Sequence, residues 1–240
     1  MAKPPASLAR RSKSDLSPVT EADEASEGIL LEGLARLLPG LPVVSEEAGG
    51  VAAPDFVLVD PLDGTRELLA GRDEFTVNVA IIADRRPLLG IVCAPALALL
   101  WRGLVGRGAE RMALAPATGR IAIRTRPRPS DGLIAAVSRS HLDAATDAFV
   151  ARLPNATRLL CGSALKFCRV AEGAADLYPR LSPTSEWDVA AGHALLAAAG
   201  GVVTTPDGAA LTYGRPGFGV PAFIAWGDVA SMALSPQARG

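Results

Sequence analysis

Apolar residues after Pro18 recur at helical spacing, with Ile29, Leu30, Leu34, Leu37 and Leu38 on one stripe and Pro39-Gly40 ending it, so a helix is expected to run to about Leu38. The rhythm then shortens. Phe56-Val57-Leu58-Val59 predicts a buried strand ending on Asp60, and Thr65 to Ala70 predicts the opening of a helix. Strands are expected over Phe75–Ala83, Pro87–Cys93 and Leu97–Leu104, as antiparallel neighbours because their Gly- and Pro-marked connections are short. The apolar run from Leu88 to Trp101 falls inside them and is broken by Gly90 and Pro95, too short for a membrane helix of ~20 residues. Arg124 to Gly132, rich in proline and arginine, marks a boundary, giving lobes over 1–127 and 128–240. Beyond it strands and helices alternate. Strands are expected at Leu133–Ser138, Thr157–Cys161, Ala175–Tyr178 and Gly201–Thr204, with helices near Asp143–Leu153, Ala164–Glu172 and Trp187–Ala199. The fold class is therefore α+β followed by α/β, in layers of helix and sheet.

Composition narrows the partners. A chain of 240 residues with 49% hydrophobic and 20% charged residues is long enough for a full core and does not read as disordered. A net charge of −1 supplies no basic field for a nucleic-acid polymer. Three cysteines (Cys93, Cys161 and Cys168) form neither a disulfide framework nor a zinc site and read as small buried residues of a reducing compartment. Lys3, Arg10, Arg11 and Lys13 are not followed by an apolar segment, so the N-terminus reads as a short disordered tail and not as a secretory signal.

Chemistry concentrates at Asp60-Pro61-Leu62-Asp63-Gly64-Thr65. Two carboxylates this close repel unless a cation lies between them, and hard oxygen ligands at a tight turn suit magnesium. Gly64 and Thr65 open a helix whose free N–H groups favour an anion. Alone, the stretch could equally be an Asp-rich turn with Asp63 capping the helix. It has companions, however: Ser45-Glu46-Glu47-Ala48-Gly49 upstream and Glu186-Trp187-Asp188 downstream at a helix start. Ser17-Pro18-Val19-Thr20-Glu21-Ala22-Asp23 is the fourth piece, and its Thr20 and Asp23 also have capping-box spacing.

In this order the motifs resemble the inositol monophosphatase superfamily. The resemblance runs from Lys13 to Trp226 and is strongest to its CysQ-type 3'(2'),5'-bisphosphate nucleotidases. Similar to that subfamily are Lys13-Ser14-Asp15, Ser138-Arg139-Ser140-His141, Gly162-Ser163-Ala164-Leu165-Lys166-Phe167-Cys168, Tyr178-Pro179-Arg180 and Tyr213-Gly214-Arg215-Pro216-Gly217-Phe218. The resemblance implies a layered αβαβα sandwich of two lobes and a magnesium site. In that site Glu46 (rather than Glu47), Asp60, the Leu62 carbonyl, Asp63 and Asp188 hold metal, with Asp60 bridging two ions. It further implies that Gly64 and Thr65 contact the phosphate, that Thr65 and Asp23 orient and deprotonate the attacking water, and that Ser163, Lys166, Arg180 and Glu186 contact the nucleotide. The ligands Glu46, Asp60, Leu62, Asp63 and Asp188 would meet the substrate through the metal. Two departures stand out. Only about a dozen residues precede Lys13 where family members carry a full helix, so either the start is misplaced or an edge of the first lobe is uncovered. Val220 stands where asparagine commonly precedes Pro221.

The activity implied is hydrolysis of the 3'-phosphate of adenosine 3',5'-bisphosphate to AMP and phosphate, in the cytoplasm, with peripheral contact to the inner membrane as an alternative. The rivals are an inositol or sugar monophosphatase and a non-catalytic nucleotide-binding protein. Metal-activated water needs no side-chain nucleophile. With only His141 and His193 in the chain, a histidine phosphatase fits poorly. His193 reads as packed on an apolar helix, and His141 as either a nucleotide contact or a loop residue.

Overall fold

The structure, a computed structural model, describes residues 10–12, 18–116 and 119–234. Strands β1 (Arg10–Ser12) and β2 (Pro18–Thr20) pair antiparallel and lead into helix α1 (Glu21–Leu37). Seven strands form the larger sheet in chain order: β3 (Val43–Ser45), β4 (Phe56–Asp63), β5 (Thr76–Ala83), β6 (Arg86–Ala94), β7 (Leu99–Leu104), β8 (Gly108–Ala113) and β9 (Ile121–Ile123). Only β3 and β4 are parallel, so the short connections after β5 give the antiparallel neighbours expected. Helix α2 (Thr65–Leu69) is inserted between β4 and β5. All of β4 up to Leu62 is buried, because α1 packs on one face of it and a helix from the second half on the other. That explains why it reads as an unbroken apolar run while β5 alternates buried and half-buried.

The second half comprises β10 (Ile134–Ser138), α3 (Ala144–Ala151), β11 (Thr157–Cys161), α4 (Leu165–Ala171), β12 (Leu177–Arg180), β13 (Thr184–Ser185), α5 (Glu186–Ala199), β14 (Val202–Thr204), β15 (Gly219–Val220) and β16 (Phe223–Trp226). Its five-stranded sheet has the order β11-β10-β12-β16-β14, parallel across the first three and antiparallel at β16, while β13 pairs with β15. Alternate residues of this sheet serve opposite faces. Ala136, Tyr178, Phe223 and Ala225 join the core shared with α4 and α5, whereas Val137, Leu177, Ile224 and Trp226 pack with Phe149 and Val150 of α3.

The layers therefore run α1, large sheet, α5 with α4, small sheet, α3, which is the αβαβα sandwich expected. The small residues of α5 follow from its place in the middle. A Cβ on Gly90 of β6 would lie 2.1 Å from the Ala191 carbonyl oxygen, and one on Gly192 would lie 2.2 Å from the Phe167 ring of α4. The helix thus lies close to sheet and helix at once. Among the described residues no helix is long and apolar enough to cross a membrane.

Three features differ from the sequence reading. Of the expected α1 stripe, Ile29 is 74% and Leu37 78% exposed. Ile29 lies off the i, i+4, i+7, i+11 line through Asp23, Glu27, Leu30 and Leu34 that turns toward β4, and Leu37 lies in the last turn. Strands β1, β2, β3, β8, β9, β13, β15 and β16 were not anticipated, although Phe223-Ile224-Ala225-Trp226 is fully buried, and β1 falls in the segment expected as a disordered tail. Residues 95–97 form a 3-10 turn, so the third predicted strand begins at Leu99.

Candidate active site

The end of β4 is shaped by a bulge. Asp60 pairs with Asn78 and Asp63 with Thr76, so β4 spends one more residue than β5 over the same step. Residues three apart on a regular strand face opposite sides; the extra residue at Pro61-Leu62 brings both aspartates toward one side. Asp60 is 1% exposed, and its Oδ1 accepts from the Leu62 N–H at 3.0 Å. Asp63 Oδ2 lies 3.5 Å from both the Thr76 hydroxyl and the Asn78 side-chain nitrogen. Gly64 follows with φ +96°, and a Cβ there would lie 2.1 Å from Ser163 Oγ. No other residue fits this turn without displacing the serine.

Two further segments close on the bulge. Glu46 sits on the turn after β3, its N–H donating to the Val59 carbonyl at 3.1 Å. Asp188 lies in the first turn of α5, accepting from the Ser185 N–H at 3.2 Å and from the Thr184 hydroxyl. Glu46, Asp60 and Asp188 bring one carboxylate oxygen each to within 4.8 Å of one another. Burial, then Asp63, Glu46 and Asp188, raise the Asp60 pKa well above the usual carboxylate range. Burial and Asp188 push Asp63 up to about 6, against the opposing pull of Lys166 and Arg180. Asp60 Oδ2 is buried without a hydrogen-bond partner. A buried, unpartnered carboxylate oxygen among like charges is what a divalent cation would satisfy, so the donor set fits the metal expected.

Thr65 opens α2 beside this cluster, and its Oγ1 donates to Asp23 Oδ1 at 3.3 Å. The other Asp23 oxygen accepts from the N–H and hydroxyl of Thr20 at 2.8 and 2.6 Å. Thr20 Oγ1 in turn accepts from the Ala22 N–H at 3.2 Å, so the capping box is also real.

Glu46, Asp63, Gly64, Thr65 and Asp188 line an open cleft of about 270 Å³ together with Ser163, Lys166 and Arg180. Four segments that are distant in sequence, in the order and spacing already described, thus meet around one cavity, and the whole-chain comparison agrees. The sequence pattern of the inositol monophosphatase family matches residues 2–234.

The chain belongs to the inositol monophosphatase family.

Within the family it is 42% identical over 206 residues to the 3'(2'),5'-bisphosphate nucleotidase CysQ of Salmonella typhimurium, covering 84% of this chain and 81% of that protein. To the CysQ of Escherichia coli (strain K12) it is 41% identical over 207 residues, covering 84% and 82%. The crystal structure of CysQ from Bacteroides thetaiotaomicron superposes with a TM-score of 0.78 at 32% identity, covering 90% of this chain and 86% of that one.

Of the expected nucleotide contacts in this family member, Lys166 is 4% exposed, donates from Nζ to the Ser163 carbonyl at 2.6 Å and lies 5.2 Å from the centre of the Tyr178 ring. Ser163 Oγ lies 2.9 and 2.8 Å from the carbonyls of Asp63 and Glu74, so it braces the Asp63-Gly64 turn as well as lining the cleft. Glu186 is not brought to the cleft. It is fully buried, and its two oxygens accept from the N–H groups of Gly214 and Arg215 at 2.7 and 2.9 Å. A carboxylate satisfied by two backbone amides holds the 213–218 segment and has no free face for a nucleotide. Lys13-Ser14-Asp15 and Ser17 lie outside the described residues.

His141 is an exposed loop residue that also lines the cleft, so both of its sequence readings stay open. Burial and nearby Arg66 lower its pKa, and its Nε2 meets Arg66 Nη1. Guanidinium only donates, so this nitrogen is the acceptor of a neutral ring. Arg66 and Glu67 line the cleft without having been singled out, and Tyr178, which also lines it, had entered only as part of a motif. Arg66 lies in a helix of only five residues, Thr65–Leu69, and its position there carried no signal. His193 is packed, its Nδ1 2.9 Å from the Tyr213 hydroxyl and its pKa lowered to about 4 by burial. Of the cysteines, Cys161 and Cys168 are buried and Cys93 half-buried, and all three are free.

Proposed function

We propose that the chain is a magnesium-dependent 3'(2'),5'-bisphosphate nucleotidase that removes the 3'-phosphate of adenosine 3',5'-bisphosphate and leaves AMP, a clearing step in sulfate assimilation. The observation that carries the reading is the juxtaposition of a carboxylate cluster holding the unpartnered Asp60 Oδ2 and the Thr65–Asp23 pair with a cleft also lined by Lys166 and Arg180. The relatives named CysQ support the same substrate class. The free cysteines support a cytoplasmic location. The reading takes 1–127 and 128–240 as lobes, with the cluster built mostly from the first.

Glu46, Asp60, the Leu62 carbonyl, Asp63 and Asp188 would hold the metal, which when bound activates water and neutralises phosphoryl charge. The remaining work falls to this chain's own groups. Thr65 Oγ1 gives its proton to the hydrogen bond with Asp23 Oδ1, leaving its lone pairs to accept from a water in the cleft. A proton taken from that water can pass through Thr65 to Asp23, whose other oxygen is fixed by Thr20. Gly64, with no side chain, lets the helix-opening amides approach the phosphate. Lys166 and Arg180 meet the second phosphate of a bisphosphate substrate as charge-assisted donors.

A substrate panel with Lys166→Ala tests the reading. A charge-assisted contact worth ~1.5–3 kcal/mol amounts to roughly ten- to hundredfold in affinity. Wild type should turn over adenosine 3',5'-bisphosphate far better than inositol 1-phosphate or fructose 1,6-bisphosphate. Lys166→Ala should raise KM for the nucleotide on that scale and leave KM for a plain monophosphate alone. Equal kcat/KM for nucleotide and inositol phosphate, insensitive to Lys166→Ala, would make the chain an inositol or sugar monophosphatase instead. Absence of any magnesium-dependent phosphate release would leave the non-catalytic binding protein.

A further inference from the structure

One face of α1 reaches all three first-half segments that build the cluster. Asp23, Ser26 and Glu27 stand at i, i+3 and i+4 and so share that face. Asp23 meets Thr65, as described. Ser26 Oγ donates at 2.7 Å to the carbonyl of Pro61, inside the bulge between Asp60 and Leu62. Glu27 Oε1 accepts from Ser45 Oγ at 2.5 Å and from the Ala48 N–H at 2.9 Å, on either side of Glu46. Ser45 and Gly49 also exchange backbone hydrogen bonds, each 2.9 Å, so residues 45–49 form a closed turn that carries Glu46. Asp23 is the only fully buried residue of α1, and the rest of the face turned toward β4 is half-buried. The helix is tied to the cluster segments by polar bonds, and two of the three residues that make them, Ser26 and Glu27, have no part in the hydrolytic chemistry.

Glu46 has reason to need such a hold. Its carboxylate lies among like charges, and a turn free to relax would swing it away from Asp60 and Asp188. Binding a cation would then have to reorder the turn, at the expense of affinity. We propose that Glu27 is a positioning residue for the metal cluster: by fixing Ser45 and Ala48 it keeps Glu46 turned toward Asp60 and Asp188, and Ser26 does the same for the Pro61 bulge. This inference rests on the metal-dependent reading of the site.

The test is calorimetric titration of magnesium or manganese into the full chain, alongside magnesium activation curves, for wild type, Glu27→Ala, Glu27→Gln and Ser45→Ala. Circular dichroism without metal checks that each variant is folded. Glu27→Ala should bind metal about 10- to 100-fold more weakly, the range over which partners of metal ligands act. At saturating metal its kcat and its KM for the nucleotide should return to wild-type values. Glutamine keeps the accepting oxygen, so Glu27→Gln should restore most of the affinity, and adding Ser45→Ala to Glu27→Ala should cost little more. Undiminished metal affinity in folded Glu27→Ala overturns the inference. So does Glu27→Gln as weak as Glu27→Ala, since charge and not position would then be at work. Should Glu27→Ala fail to fold, Ser45→Ala decides by the same criterion. A wild type that binds no metal would instead sink the metal reading of the site, an outcome distinct from wild-type binding that Glu27→Ala leaves unchanged.

Discussion

Replacing Asp60 with asparagine removes one charge from the middle of the cluster while keeping the side-chain shape. Asp60 is 1% exposed, one of its oxygens has no partner, and Asp63, Glu46 and Asp188 all oppose its ionisation. Without metal this arrangement is costly, because an unpartnered buried polar group costs ~1–3 kcal/mol and like charges add to that. Asp60→Asn relieves the repulsion, and its amide can donate to Glu46 or Asp188, so the metal-free variant should be more stable than wild type by about 1 kcal/mol. With metal the order should reverse. A ligand at 100 times its Kd stabilises the native state by ~2.7 kcal/mol, which for a chain of this length raises Tm by roughly 5–10 °C. Wild type should show that rise and Asp60→Asn very little of it, with turnover abolished. Thermal melts in EDTA and in excess magnesium, paired with phosphate release, give a crossing of the two stability orders. A variant that is less stable in EDTA, gains the same Tm from magnesium, or keeps near-normal turnover would refute the cluster as a metal site.

Thr65→Ala and Asp23→Asn should each lower kcat by roughly 10²–10⁴-fold, the usual cost of losing a general base, while calorimetric magnesium affinity changes less than in Asp60→Asn. If Asp23 were only a cap, its loss would show as ~1 kcal/mol of stability with activity intact. Metal-free stability should also depend on pH. Asp63 sits at about 6 when folded against 3.8 unfolded, so the native state binds the extra proton between those values. The contribution of this group is therefore fully present below about pH 4 and is lost as pH rises through 6, a change on the order of 3 kcal/mol. Asp63→Asn, melted in EDTA across the same range, should lack that component; an unchanged slope would contradict it.

The order of the anticipated elements was legible because each carries its own periodicity, and Asp60 and Asp63 stood out as carboxylates at a strand end marked by Pro61 and Gly64, whereas Asp188 was picked out by the resemblance. What was hidden depends on where an element lands. Ile29 looks as apolar as Leu30, and only the position of β4 decides which of the two is covered. Phe223-Ile224-Ala225-Trp226 is short, and its place inside the small sheet comes from pairing with β12 and β14, not from its own pattern. Glu186 stands two residues before Asp188, yet the helix turns it about 200° away from that residue, toward the amides of Gly214 and Arg215.

The N-terminal segment shows why a structural and a chemical reading of one motif can both hold. Thr20 and Asp23 have the spacing of a helix cap, and on that ground Asp23 could be set aside as a catalytic group. The cap, however, occupies only one of its oxygens: Oδ2 takes both the N–H and the hydroxyl of Thr20, while Oδ1 faces Thr65. Two short bonds on Oδ2 fix the rotation of the carboxylate, so that Oδ1 is aimed without cost at the moment of reaction. The same helix then carries Ser26 and Glu27 to the neighbouring segments at the next positions of the face. Capping and catalysis are not competing accounts of Asp23; on the proposed reading the cap fixes the carboxylate whose second oxygen would serve as the base.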